Sequence, residues 1–229
     1  MSTAQERIAN NVTVVRQQIA DAANRSGRTE DSVTLVAVTK YADAAETRLL
    51  VEAGCLVLGE SRPQLLWQKA QELADLENIE WHQIGHMQRN KLARTLPIIS
   101  LFQSVDSERL LQATDEVSAK LNRATDVLLE VNISGDSTKH GFAPSDMSSI
   151  VQRLDLYSHI SVRGIMGMAS LLGGKEQARR DFAALRDLRD SLLNYSETIR
   201  ELSMGMSGDF DVAIEEGATI VRVGSALFE

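Results

Sequence analysis

The stretch Val33-Thr34-Leu35-Val36-Ala37-Val38 decides the fold class. It is a short, nearly continuous apolar run rich in β-branched residues, and such a run suits a strand covered on both faces, as in a parallel sheet. A helix precedes it. Thr3 and Glu6 have capping-box spacing, Ile8, Val12, Val15 and Ile19 form one apolar stripe, and Ser26-Gly27 ends the element. The same rhythm then recurs downstream. Further strands are expected at 56–58, 80–84, 101–105, 126–133, 162–166, 201–204 and 219–223, and helices at 44–53, 63–76, 88–95, 107–122, 144–156, 175–195 and 209–216. Eight strands alternating with helices over 229 residues predict an α/β fold, a (β/α)8 TIM barrel with an extra N-terminal helix. A doubly wound open sheet is the alternative arrangement of the same elements. No Pro/Gly/Ser-rich linker or shift in composition divides the chain, so residues 1–229 read as one domain.

Composition narrows the function. Apolar residues make up 43% and charged residues 24%, which suits a packed globular chain. A net charge of −8 argues against a nucleic-acid binder, which must neutralise phosphates, and against a basic membrane-surface helix. The longest uncharged stretches are eleven residues, 95–105 and 164–174. A membrane span needs about 20 mostly apolar residues. The N-terminus has no basic start followed by an apolar run. Cys55 is the one cysteine, so neither an internal disulfide nor a Cys-rich zinc site is available. A cytoplasmic protein is expected.

In a barrel the chemistry gathers at the C-terminal ends of the strands. The first strand ends Val38-Thr39-Lys40-Tyr41, which places a lysine at the mouth. An arbitrary lysine in a loop is a surface residue. One held in a partly desolvated, apolar setting becomes a Schiff-base nucleophile. The seventh strand ends Ser203-Met204-Gly205-Met206-Ser207-Gly208 and the eighth Arg222-Val223-Gly224-Ser225. Glycines alone serve tight turns. Glycines with hydroxyls in both loops make an anion cradle, and barrels often bind phosphate in these two loops. Arg222 offers a planar donor fork to a ring nitrogen, a carboxylate or a phosphate.

Other signals fail. Gly173-Gly174-Lys175 resembles a P-loop end, but Glu176 stands where Ser or Thr is needed. His82 and His86 lack a third ligand, so no metal site is expected. Asp209 and Asp211 read as first-turn acids complementing a helix dipole. Cys55 follows Gly54 in an apolar context and reads as core.

Seven pieces, taken in order, carry a resemblance: Leu35-Val-Ala-Val-Thr-Lys40; Leu58-Gly59-Glu60; Trp81-His82-Gln-Ile-Gly85-His-Met-Gln88-Arg-Asn90-Lys91; Val131-Asn132-Ile133 with Lys139 and Gly141; Arg163-Gly164-Ile-Met166-Gly-Met168; Ser203-Met-Gly-Met-Ser207; and Val221-Arg222-Val-Gly224-Ser225. Over nearly its whole length the chain resembles the pyridoxal phosphate homeostasis proteins, single-domain relatives of the alanine racemase N-terminal barrel. The resemblance implies that Lys40 holds pyridoxal 5'-phosphate (PLP) as an internal aldimine. It implies that Ser203, Ser207, Gly224 and Ser225, with the Met204 backbone, surround the phosphate, and that Arg222 faces the pyridine nitrogen. Family members usually carry Asn after the Gly-Glu pair to help line the cofactor, whereas this chain has Ser61, a shorter hydroxyl.

The resemblance further implies a role in vitamin B6 homeostasis and delivery, with little or no catalysis. PLP-dependent apo-enzymes are the candidate recipients. A cationic Arg beside the ring nitrogen disfavours the protonated ring that makes PLP a strong electron sink. The racemase also uses a second domain with an opposing Tyr base, and this chain ends at Glu229. A monomer is expected, because the racemase dimerises partly through that second domain. A PLP-dependent amino-acid racemase is the alternative, and a Schiff-base aldolase is the reading without the resemblance.

Overall fold

The capping box forms as its spacing requires. Thr3 Oγ1 accepts the Glu6 N–H at 3.1 Å, and the Glu6 carboxylate accepts the Thr3 N–H at 2.9 Å. From there α1 (Ala4–Arg25) buries Ile8, Val12, Val15 and Ile19 along one stripe. In this computed structural model, which describes residues 3–136 and 138–229, the remainder of the chain closes into a barrel.

The eight strands are β1 (Thr34–Val38), β2 (Val57–Glu60), β3 (Glu80–Gln83), β4 (Ile99–Val105), β5 (Thr125–Val131), β6 (Ile160–Gly167), β7 (Glu201–Ser203) and β8 (Ile220–Val223). They pair in sequence order, all parallel, and β8 closes onto β1 with Thr34 opposite Ile220 and Val36 opposite Arg222. The TIM barrel is therefore the fold, and the open doubly wound sheet is excluded.

Outside the strands lie α2 (Ala44–Glu52), α3 (Pro63–Glu72), α4 (Leu92–Thr95), α5 (Glu108–Lys120), α6 (Met147–Val151), α7 (Gly174–Leu192), α8 (Phe210–Glu215) and α9 (Ser225–Phe228). Three of them depart from expectation. Segment 144–156 is not one helix: 3-10 turns at Pro144–Asp146 and Leu154–Leu156 flank the short α6. Here the Ser149 hydroxyl bonds the Asp146 carbonyl, a local alternative to helix continuation. Segment 88–95 is a 3-10 turn followed by the single turn α4, which Pro97 stops. The chain also ends in a helical turn, α9, that opens straight after the eighth strand's glycine.

The core has two layers. The larger packs helices on the outer strand faces. A small separate cluster, Val36, Leu101, Leu128, Met166 and Ile220, takes one residue from each of five strands, and this is the barrel lumen. Because side chains alternate along a strand, Gln103, Glu130 and Arg222, two residues beyond Leu101, Leu128 and Ile220, also point inward, nearer the C-terminal mouth. Among the described residues no helix is long and apolar enough to cross a membrane.

Candidate functional site

Polar side chains cap the apolar lumen and are wired in one direction. Arg222 Nη1 donates to Ser203 Oγ at 2.6 Å and Nη2 to the Gly167 carbonyl at 3.1 Å. Ser203 Oγ donates to Gln103 Oε1 at 2.6 Å, and Gln103 Nε2 lies 2.8 Å from His82 Nδ1. The amide nitrogen can only donate, so His82 Nδ1 must accept, which makes its ring neutral. Burial agrees, pushing the His82 pKa down to about 4.

Arg222 is buried, and burial lowers its pKa to about 10 while Glu130 and Asp209 oppose the shift. It therefore remains a cation at neutral pH. Glu130 is also buried, and its carboxylate has no hydrogen-bond partner among the described residues. Burial and then the Asp106 charge push the Glu130 pKa up to about 7, against Arg222 and His86. A carboxyl that holds its proton to a higher pH in the folded state than in the unfolded chain contributes stability at low pH. That contribution is complete below the ordinary 4.5 and is lost as the pH rises through about 7. Glu130→Gln removes it. The melting temperature of the variant relative to wild type should therefore climb between pH 5 and 8, the difference between the two curves being read by thermal denaturation across that range. A constant difference would place Glu130 in an ordinary solvated environment.

The predicted anion loops meet. Ser207 Oγ accepts the Gly224 N–H at 3.1 Å, tying the loop after β7 to the loop after β8. Asp209 Oδ1 accepts the Met206 N–H at 2.6 Å and fixes the turn between them. Gly205 is required there: its φ is +89°, and a Cβ would lie 2.5 Å from Ala213 Cβ. The N–H groups of Ser225 and Ala226 open α9 and precede any intrahelical acceptor. Two residues named for this cradle contribute differently from expectation. The Ser203 hydroxyl points into the lumen and is engaged by Arg222 and Gln103. The Met204 N–H is taken by the Ile220 carbonyl, and its side chain is buried. The strand ladder continues one residue past β7, and sequence spacing alone does not reveal that.

Lys40 stands on the same rim, two residues beyond Val38, the side chain that a Cβ on Gly224 would touch at 3.5 Å. The expected apolar setting is corrected: Lys40 is exposed, with Nζ 4.9 Å from the Tyr41 ring centroid. A long stem keeps its ammonium in water. The backbone beneath it is held firmly. Lys69 Nζ donates to the Thr39 carbonyl at 2.6 Å and to Glu60 Oε2 at 2.7 Å. Glu60 Oε1 accepts the Ser61 and Arg62 N–H groups, and the Arg62 guanidinium donates to the Lys40 carbonyl. Ser61 packs against Gly85, where a Cβ would fall 2.6 Å from the Ser61 carbonyl oxygen. Its hydroxyl has no hydrogen-bond partner among the described residues and stands half-buried at the rim.

Sequence reasoning missed Glu130, Gln103 and the Glu60–Lys69 pair. Glu130 had a signal, an acid in register with lumen-facing Leu128. His82 and His86 do not act together. His82 joins the lumen chain, whereas His86 meets Asp106 and His140 at the rim.

Residues 5–229 match the family described as the alanine racemase N-terminal domain. A pyridoxal phosphate homeostasis protein of Aquifex aeolicus is 38% identical over 215 residues, 93% of this chain and 94% of its own length. One from Pseudomonas aeruginosa is 38% identical over 224 residues, covering 96% and 94%. This chain belongs to the pyridoxal phosphate homeostasis protein family. PipY of Synechococcus elongatus, solved with PLP bound, superposes on this family member with a TM-score of 0.87 at 32% identity, covering 97% of this chain and all of PipY. An alanine racemase of Clostridium difficile shares the fold at 15% identity, and this homeostasis-family chain spans 55% of it.

Proposed function

We propose that this protein binds pyridoxal 5'-phosphate at the barrel mouth and serves in cytoplasmic vitamin B6 homeostasis and delivery, with little or no catalysis. One observation carries the reading. An exposed amine, Lys40, shares a rim with two loops whose free groups are hydroxyls and N–H donors, above a buried Arg222 that remains charged. That set fits PLP, which presents an aldehyde, a dianionic phosphate and a ring nitrogen. Lys40 would supply the covalent link. The Ser207 and Ser225 hydroxyls and the backbone N–H groups of Ser225 and Ala226 at the α9 start would hold the phosphate, while Gly224, its N–H on Ser207 Oγ, would shape the loop around it. Arg222 would face the ring, and Ser61 would line the rim.

Bound PLP supplies an electron sink whose strength depends on a protonated ring nitrogen. Arg222 offers only donors and stays cationic, so it opposes that proton. Ser203 fixes the guanidinium, and Gln103 in turn fixes Ser203. Arg222→Glu, made together with Glu130→Gln to limit negative charge in the lumen, should strengthen the sink. Deuterium exchange at the α-carbon of an L-amino acid, measured at saturating PLP, should rise. Unchanged exchange in a saturated variant would mean that Arg222 does not control the ring.

Ser207→Ala with Ser225→Ala should weaken PLP binding more than tenfold, since a hydrogen bond to a charged group is worth about 1.5–3 kcal/mol. Titration of the cofactor-free protein by visible absorbance measures this, and wild-type affinity would move the phosphate elsewhere. The same titration tests the function. Wild-type protein should take up one PLP and turn yellow, and borohydride should bleach it. Failure to take up PLP overturns the reading, and brisk racemisation of an amino acid overturns the non-catalytic part. The recipients, PLP-dependent apo-enzymes, and the monomeric state belong to the same proposal.

A further inference from the structure

Across the mouth from Lys40, three loops bring together side chains that the cofactor reading does not use. His86 follows β3, Asp106 follows β4, and His140 lies beyond β5. One ligand atom from each falls within 4.8 Å of the others. His86 Nδ1 is 2.8 Å from Asp106 Oδ2, and the His86 and His140 rings lie side by side with centroids 4.5 Å apart and planes 20° from parallel. We propose that His86, Asp106 and His140 form a binding site for a divalent transition-metal cation on the β3–β4–β5 rim.

Donor chemistry sets the class of ion. Two imidazole nitrogens and one carboxylate oxygen suit zinc and its first-row neighbours, whereas calcium and magnesium favour all-oxygen sets. Three protein ligands leave a position open for water or an anionic small molecule. Ligand atoms about 3.4 Å apart make a tetrahedral site with bonds of ~2.1 Å. The 4.8 Å span therefore has to close by a little over an ångström. Both histidines are exposed and can rotate to do this, while the acid is already fixed. Asp106 is nearly buried, and its other oxygen accepts the Ser107 hydroxyl at 3.0 Å, the kind of outer contact that orients a ligating carboxylate.

The His86–Asp106 contact as a simple ion pair is the competing account, and it assigns His140 no role.

Tag-free protein without PLP is titrated with Zn²⁺ alone in a calorimeter. The cofactor is absent, so the result is independent of the PLP reading. The expected result is saturable one-to-one binding that weakens by more than about 100-fold in His140→Ala, beyond the 10–100-fold typical of losing an outer-shell partner. His140 is exposed and meets the cluster through its ring, so its truncation spares the core. Asp106→Asn should weaken binding likewise, and Co²⁺ in place of Zn²⁺ should give tetrahedral d–d absorption in wild type and not in the variants. Absence of saturable binding, or wild-type affinity in His140→Ala, overturns the site.

Discussion

Lys40→Ala should eliminate the covalent PLP adduct completely while leaving a weaker, non-covalent uptake. The other lysines near the mouth are already committed. Lys69 Nζ is buried between Glu60 and the Thr39 carbonyl. Lys139 Nζ donates to the Ala169 carbonyl at 2.7 Å and to Ser134 Oγ at 3.0 Å. Lys91 lies 5.6 Å from the Trp67 ring centroid, beside α3 rather than at the end of β1. Lys40 alone combines an exposed amine with a backbone anchored from below by Lys69 and Arg62. The variant loses nothing from the core, because the side chain is exposed, and the proposed phosphate donors, the Ser207 and Ser225 hydroxyls and the first N–H groups of α9, remain in place. Intact mass after PLP loading and borohydride reduction gives the answer. Wild type should gain one reduced cofactor and Lys40→Ala none. An adduct persisting on the variant would move the attachment to Lys139 or Lys91.

The barrel, and the places of Lys40 and Arg222 at the ends of the first and last strands, were legible in the sequence because each depends on a local pattern. An apolar β-branched run followed by a polar residue gives both the strand and what stands at its mouth. Glu130 obeys the same rule, yet it sits within the apolar run 126–133, where only its register with Leu128 marks it as lumen-facing. The failures are non-local. Spacing of serines and glycines after the seventh strand does not distinguish a donor facing the loop from one already used. Ser203 is taken up by Gln103, one hundred residues away, and Met204 by the Ile220 carbonyl. His86 and His140 are separated by a complete strand–helix–strand passage, so a search for closely spaced ligands pairs His86 with His82 instead. Lys69 is hidden for another reason: a lysine in an amphipathic helix normally faces water, and only the fold shows this one turned under β1.

That buried lysine sets the largest expected loss of stability. Lys69→Met should lower the melting temperature by about 6–20 °C, taking about 3–5 kcal/mol for removing one partner of a buried ion pair and roughly 2–4 °C per kcal/mol at this chain length. The Lys69 side chain is 5% exposed and that of Glu60 fully buried, so water does not take over from the missing ammonium. Glu60 keeps the Ser61 and Arg62 N–H groups, but no cation neutralises it, and the Thr39 carbonyl loses its 2.6 Å donor. The end of β1 then loosens directly beneath Lys40, so attachment of PLP, followed by absorbance, should slow in the same variant. Adding Glu60→Gln to Lys69→Met should restore part of the lost stability, since the uncompensated charge is gone. It should not restore the attachment rate, because the tether on the Thr39 carbonyl is still missing. Recovery of both together would show that Lys69 acts only through charge balance, and an unchanged melting temperature in Lys69→Met would remove the pair from the scaffold of the site.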